Sequence, residues 1–368
     1  MNKIETLYLI AKCLTINERK GFREEFIQLE SEELINWTLL FGIASNNLVL
    51  PALYVRFAQS NLLTYLPEAV SEYLHEIYSQ NKTRNEQILK QIDELNELFN
   101  QENIYPIYLK GSAHLLDGLY TDLGERMLGD IDLLLDENSY LKAAELLQKN
   151  GYRIHSEYFV DVDHNKHFPA LIKDIWPAHI ELHRTIVSDD YMYELSPENI
   201  ERKKRKPKKG SGCFILSVNN NIIHNFIHSQ LEHEGFVYGI SSLRDLYDLH
   251  LLIKKCELNQ LLPEIRERKK AKLYFLYASE LFGTEINYAA KGLFYSFHLR
   301  RFKLNYQSNI IFVVHRSVVY IIRRLWLSYI RQFFMVIFSA KTRKSVFRRL
   351  KNPHWYLAHL KSYRNIFP

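Results

Sequence analysis

Apolar positions recur at three- and four-residue intervals through most of the first 100 residues, a spacing that predicts helices. Two stretches carry it, EEFIQLESEELINWTLLFGIASNN and PEAVSEYLHEIYSQNKTRNEQILKQIDELNELFNQENI. Leu34 to Val55 is free of charge and long enough for a bilayer, yet it holds Asn36, Asn46, Asn47 and Pro51. We read it as two helices broken near Asn46 and Asn47 rather than as a span.

At Ile104 the pattern changes. IYPIYLKG is a short apolar strand ending in Lys-Gly, and SAHLLDGLYTD follows a tight turn as a helix. GDIDLLLD alternates acidic and apolar residues and then runs apolar, as a buried strand does. SYLKAAELLQKNGY is an amphipathic helix closed by Gly151. Strands follow near YRIHSEYF and AHIELHRTI, and helices return over 217–300. The order predicts an α+β fold, a small mixed β-sheet core flanked by N-terminal and C-terminal helical regions. The expected boundaries are a helical region over 1–100, the core over 101–190, a helical region packing on it over 191–300, and basic amphipathic helices over 301–368.

Composition changes this picture in one respect. A hydrophobic content of 47% and a charged content of 24% are those of a folded protein. Cys13, Cys213 and Cys256 lie far apart with no CxxC, which argues against a disulfide framework or a thiolate zinc site. The opening residues lack the charge pattern of a signal peptide, so a cytoplasmic location is expected. The net charge of +6, however, hides an asymmetry: residues 291–368 hold 16 Lys/Arg and no Asp or Glu. An acidic body therefore carries a basic C-terminal piece, of the kind that meets phosphate on a membrane surface or a nucleic acid. ERKKRKPKKG, at 201–210, is read as a solvated loop.

The candidate chemistry lies in Leu109-Lys110-Gly111-Ser112 and in Gly129-Asp130-Ile131-Asp132-Leu133. Residues two apart on a strand share a face, so Asp130 and Asp132 present both carboxylates to one spot. Such a pair calls for cations between its members, and magnesium favours a few carboxylates plus phosphate oxygens. The Gly-Ser turn offers backbone N–H groups at a helix start, where anions bind. Phosphate donors and a metal-binding pair thus converge, as in-line attack on a nucleotide phosphate requires. A third carboxylate is needed nearby. Glu181 is chosen, on the alternating strand where His179, Glu181 and His183 face one way; Asp163, Asp161 and Asp174 are the other candidates. His224 and His228 stand four apart on a helix, but without a third ligand they do not make a zinc site. Arg244, Asp245 and Asp248 in SLRDLYDLH read as an ion-pair lock between helix and core.

These motifs resemble the nucleotidyltransferase superfamily of the DNA polymerase β type, and more closely a bacterial family of uncharacterised nucleotidyltransferases. The resemblance rests on LKG at 109–111, Tyr120, Gly124-Glu125-Arg126 and DIDLLL at 130–135, with VLPALYVRF and KTRNEQILKQIDELNELF upstream. It implies Mg²⁺- or Mn²⁺-dependent transfer of a nucleoside monophosphate from an NTP to a hydroxyl acceptor, a small molecule, protein or RNA, with release of pyrophosphate. Asp130, Asp132 and Glu181 would be the catalytic metal ligands. Lys110, Gly111, Ser112, Arg126 and His183 would contact nucleotide or acceptor, with Arg126 orienting the loop before Asp130 by pairing with a carboxylate or a phosphate. A non-catalytic nucleotide-binding module, or a toxin-type enzyme acting on tRNA or protein, are the alternatives.

Asn309 to Leu350 reads as a basic amphipathic helix or helix pair. On a helical wheel Arg316, Arg323, Arg324, Arg331, Lys341, Arg348 and Arg349 share one arc, with aliphatic and aromatic residues elsewhere. The expectation is a peripheral contact with an anionic membrane face. RNA is less favoured, because the aromatics fall among aliphatics instead of forming a stacking platform.

Overall fold

The computed structural model describes residues 1–155, 167–288, 290–325 and 336–337. The chain divides into two compact units, Met1–Arg301 and Phe302–Pro368. The first begins with five helices: α1 (Lys3–Leu14), α2 (Phe22–Ser31), α3 (Trp37–Asn46), α4 (Leu50–Gln59) and the long α5 (Glu68–Gln101). Local chemistry sets their ends. Asn2 and Glu5 form a reciprocal capping box on α1. Asn36 caps α3 through the Leu39 amide. The charge-free stretch is broken where expected: α3 and α4 meet at 118°. Asn47 serves two helices there, donating to the Ile43 carbonyl and accepting from the Leu243 amide. No single described helix is long and apolar enough to cross a membrane.

Among the described residues a mixed six-stranded sheet follows, confirming the α+β reading. Its strands are β1 (Ile107–Tyr108), β2 (Asp130–Leu134), β3 (Arg153–Ile154), β4 (Leu171–Ile172), β5 (His179–His183) and β6 (Phe214–Ile215). The spatial order is β3-β4-β5-β2-β1-β6. The central pair, β2 and β5, runs parallel, with Asp132 opposite Glu181. β1 is antiparallel to β2, with Ile107 opposite Leu134. Two strands escape the sequence pattern, β4 and β6, each only two residues long. β6 adds to β1 from beyond residue 190, so the sheet draws on the following region as well as on 101–190.

Between the strands run α6 (Lys110–Asp117), α7 (Glu137–Lys149) and α8 (Pro197–Lys203). One face of the sheet is apolar. Ile131, Leu133, Ile180 and Leu182 are fully buried with Ile88, Ile92, Leu95 and Phe99 of α5 and Ala143, Ala144 and Leu147 of α7. Each such Ile or Leu contributes roughly 1.5–3 kcal/mol, which fixes which face of β2 and β5 is left for chemistry. After the sheet come α9 (Val218–Phe226), a π-helical turn (Ile227–Glu232), α10 (Gly235–Tyr238), α11 (Leu243–Ile253), α12 (Leu258–Leu261) and α13 (Arg268–Phe282). Two further helices are α14 (Leu293–Gln307) and α15 (Asn309–Leu325). The rest of the stretch expected to be helical to Leu350 lies, apart from 336–337, outside the described residues, as do Asp161 and Asp163.

Candidate active site

The polar face of the β2–β5 pair carries Asp130, Asp132, Glu181 and His183. Parallel register sets Asp132 beside Glu181, so the acid chosen from the alternating strand does meet the Asp-x-Asp pair. Asp174 does not: it pairs with exposed Arg153 on the far edge of the sheet. Asp132 is 2% exposed. Lys110 Nζ donates to its Oδ1 at 2.6 Å, and His183 Nε2 lies 2.9 Å from the same oxygen. His183 also reaches to within 3.6 Å of Glu181.

The electrostatics follow from this crowding. Burial alone would raise the Asp132 pKa, but the His183 hydrogen bond and the Lys110 charge outweigh it and hold the carboxyl well below its ordinary value. The His183 hydrogen bond likewise lowers Glu181 against the effect of burial. Burial would lower His183, but its bonds to Asp132 and Glu181 raise it. Asp130 moves the other way. Burial raises it first, then the charges of Asp132 and Glu181, and Lys110 offsets them only in part. Asp130 is therefore the carboxylate left under-compensated.

Among the described residues, the tightest group of possible metal ligands is Asp132, Glu181 and His183, with ligand atoms within 4.8 Å of one another. His183 thus stands with two of the three carboxylates expected from the sequence, and Asp130 lies on the same strand face two residues before Asp132. An oxygen-rich set with one imidazole, plus an adjacent carboxylate whose charge is not neutralised, suits a hard divalent cation.

The Lys-Gly-Ser turn starts α6 beside these carboxylates. Lys110 adopts φ 49°, and Leu109 N–H bonds the Asp132 carbonyl, stitching the turn to β2. Ser112 is fully buried, and its hydroxyl donates to the Leu109 carbonyl at 2.8 Å. Gly111 is required by close approach: a Cβ there would lie 2.9 Å from Leu128 and closer still to the Arg126 guanidinium.

Arg126 is buried on Asp248, which it meets through Nε at 3.0 Å and Nη2 at 2.7 Å. Its carboxylate pairing holds the loop between Gly111 and Asp130 from behind. Tyr120 donates to the same carboxylate, and His114 lies 3.5 Å away. Asp248 on α11 is thus the lock expected from SLRDLYDLH. Arg244 and Asp245 stand beside it and pair loosely with each other at 3.7 Å. They line a cavity of about 40 Å³ that also borders Lys110, His114, His224 and His228.

Sequence reading missed the residues that shape the approach to Asp130. Asn81 and Asn85 donate to the carbonyls of Gly124, Leu123 and Arg126. Arg84 donates to the carbonyls of Leu128, Gly129 and Pro177. The signal was present: Asn81 and Asn85 continue the stripe of Ile88, Ile92, Leu95 and Phe99, and amides on a buried stripe need partners. A further helix residue, Gln91, brackets Ala178 at the start of β5.

A family model described as uncharacterised nucleotidyltransferase matches residues 33–283, well over half of the chain. The chain belongs to this family. A search of the curated proteins found no match. Family membership supports transferase activity in general and a nucleoside triphosphate substrate. The matched region contains α5, the Lys110 turn, β2, β5 and the Asp248 lock, so every residue of the site described above falls within it.

Proposed function

We propose that this protein moves a nucleoside monophosphate from an NTP to a hydroxyl acceptor and releases pyrophosphate. The observation that carries the reading is the convergence of Asp130, Asp132 and Glu181 on one sheet face beside the Lys110-Gly111-Ser112 turn. Asp130, Asp132 and Glu181 would hold Mg²⁺ or Mn²⁺, with His183 beside them. When bound, such ions neutralise phosphate charge and lower the pKa of an attacking hydroxyl. Lys110 and the first N–H groups of α6 bind the phosphate chain. The acceptor oxygen bonds to the α-phosphorus as the bond to the β-phosphate oxygen breaks, and pyrophosphate leaves with the electron pair. Glu181 accepts the hydroxyl proton. Pyrophosphate release with each of the four NTPs, across a panel of alcohols, tests this. It is expected to fall to background in EDTA and to return with Mg²⁺ or Mn²⁺. Full activity in EDTA would remove the metal from the reading.

We further propose that α15 rests on an anionic lipid surface. Ile310, Val314, Val318 and Ile322 are 77%, 56%, 48% and 61% exposed. At 100° per residue they fall within one arc of α15, with Ile311 and Ile321. The 16 basic and no acidic residues of 291–368 supply the matching charge. Lipid attraction is worth about 1 kcal/mol per basic residue near the surface. Full-length protein is expected to pellet with phosphatidylserine vesicles at low salt, and Ile310→Glu with Val314→Glu to abolish this. Equal sedimentation of the two proteins would end the proposal.

A further inference from the structure

A second polar feature adjoins the carboxylates through Lys110. Its Nζ donates to Asp132, and the same side chain borders the cavity of about 40 Å³ that α6 shares with α9 and α11. Lys110 is therefore a wall common to the cavity and the reaction centre, although no carboxylate of that centre lines the cavity itself. A water molecule requires roughly 10–15 Å³ of such space, so the cavity takes a group of a few heavy atoms and excludes a base or a ring. Its charges are unequally committed. Lys110, Arg126 and Arg244 meet two carboxylates there, Asp245 and Asp248. Lys110 is held by Asp132, and Arg126 by Asp248. Arg244 is left with Asp245 at 3.7 Å, beyond a hydrogen bond. Its Nε is buried and has no hydrogen-bond partner among the described residues. A buried N–H without an acceptor is costly, the more so on a charged group. Imidazoles of His114, His224 and His228 complete the polar wall. His228 stands on the π-helical turn, an irregularity of the kind that often serves a functional site. Asn225 donates to the Asp245 carbonyl at 3.1 Å and so fastens α9 to the first turn of α11, where Arg244 stands.

We propose that Arg244 takes the terminal phosphate of the nucleoside triphosphate in this cavity. The inference rests on the transferase reading given above and carries it to the end of the phosphate chain. The metal-binding carboxylates must meet the α-phosphate, where the bond changes, and Lys110 meets the chain beyond it. The polar space on from Lys110 is the cavity, so the phosphate furthest from the reacting atom arrives there. A guanidinium suits it: the planar N–H fork matches phosphate oxygens, and the unpartnered Nε supplies one of the donors. Three cations against two carboxylates leave the lining net positive before any imidazole takes a proton. Asp245 tempers that charge, because an arriving phosphate must replace it beside Arg244. The result is a site that reads the length of the phosphate chain. It favours a triphosphate over a diphosphate, and the contact departs with the pyrophosphate.

The test uses the full chain with Mg²⁺, in equilibrium dialysis against ATP, CTP, GTP and UTP and the matching di- and monophosphates. The parent is expected to bind at least one triphosphate about tenfold or more tighter than its diphosphate, as one hydrogen bond to a charged group provides. Arg244→Gln is expected to bring that ratio close to unity with monophosphate affinity unchanged. Asp245→Asn, which removes the competing carboxylate and keeps the volume, is expected to widen the ratio, and it decides the matter if a thermal melt shows Arg244→Gln unfolded. Equal affinity for tri- and diphosphate in the parent overturns the assignment. So does a preference that survives in Arg244→Gln, or one that Asp245→Asn leaves unchanged. A parallel loss of mono- and triphosphate affinity in Arg244→Gln also overturns it and makes Arg244 a support for the fold. The transferase reading is judged separately, by pyrophosphate release. Release by a parent that shows no triphosphate preference refutes the cavity assignment alone. A preference lost in Arg244→Gln, with no pyrophosphate released from any NTP by the parent, refutes the transferase reading and leaves a triphosphate-binding site in place.

Discussion

The Asp130→Asn, Asp132→Asn double variant is expected to lose pyrophosphate release by at least about 10³-fold, the upper end of what removing one preorganised electrostatic group costs. The two carboxylates share a face of β2, and Asp132 touches both Lys110 and His183. Asparagine keeps the volume and one acceptor oxygen but removes the charge that a divalent ion and the two neighbouring cations require. The substitutions act on stability as well. Lys110 and His183 would face a neutral amide in a nearly closed environment, and His183 would lose the Asp132 bond and charge that raise its pKa while keeping its bond to Glu181. A thermal melt therefore accompanies the assay. A variant that remains folded at the assay temperature and retains full turnover would show that the chemistry lies elsewhere.

A second large effect is expected at the lock behind the Gly-Ser turn. Asp248→Ala should cost about 3–5 kcal/mol of folding stability, because it strands the Arg126 guanidinium in the interior. Arg126 and Asp248 are both nearly sealed from solvent, and the carboxylate also accepts from Tyr120. A urea unfolding midpoint measures the loss. The double variant Arg126→Met, Asp248→Leu should recover much of it, since both charges leave together and apolar volume replaces them. A loss under about 1 kcal/mol for Asp248→Ala would mean that the pair is not a lock. The pair also has a pH signature. Burial would raise the Asp248 pKa, but the charges of Arg126 and His114 hold it far below the ordinary carboxyl value. A depressed folded-state pKa contributes stability that is complete above the unfolded value, about 3.9, and is lost as pH falls below it. The difference in stability between parent and Asp248→Ala should accordingly shrink as pH falls below about 4.

These two sites differ in how far local sequence could describe them. Alternation over GDIDLLLD places Asp130 and Asp132 on one face because strand side chains repeat every two residues, and no other part of the chain is needed to say so. The break at Asn46 and Asn47 and the closing of α7 near Gly151 were legible for the same reason, being settled by caps and turns within a few residues, whereas α6 begins at Lys110, two residues before the helix read from SAHLLDGLYTD. The placement of a further carboxylate beside that pair required more. The alternating strand offered Glu181, but its position beside Asp132 depends on the register of two parallel strands separated by a long connection, and sequence pattern does not encode such a register. The same limit hid β4 and β6, which are too short to show a period.

What the sequence by itself determined was the α+β class, the paired aspartates, the Lys-Gly-Ser turn and the uneven charge of the chain. Only the tertiary structure decided what those residues face. It turned the Ser112 hydroxyl inward to a backbone carbonyl, because the first turn of α6 is packed over β2 with no solvent on that side. It committed Arg126 to Asp248, 122 residues away, and so made it a support for the turn. It drew His183 into the group with Asp132 and Glu181, and it set the polar stripe of α5 against the loop before Asp130. Each of these is a contact between segments distant along the chain. Burial decides them: a buried charge or amide is stable only where another segment supplies its partner, and local sequence names the group in need without naming the one that satisfies it.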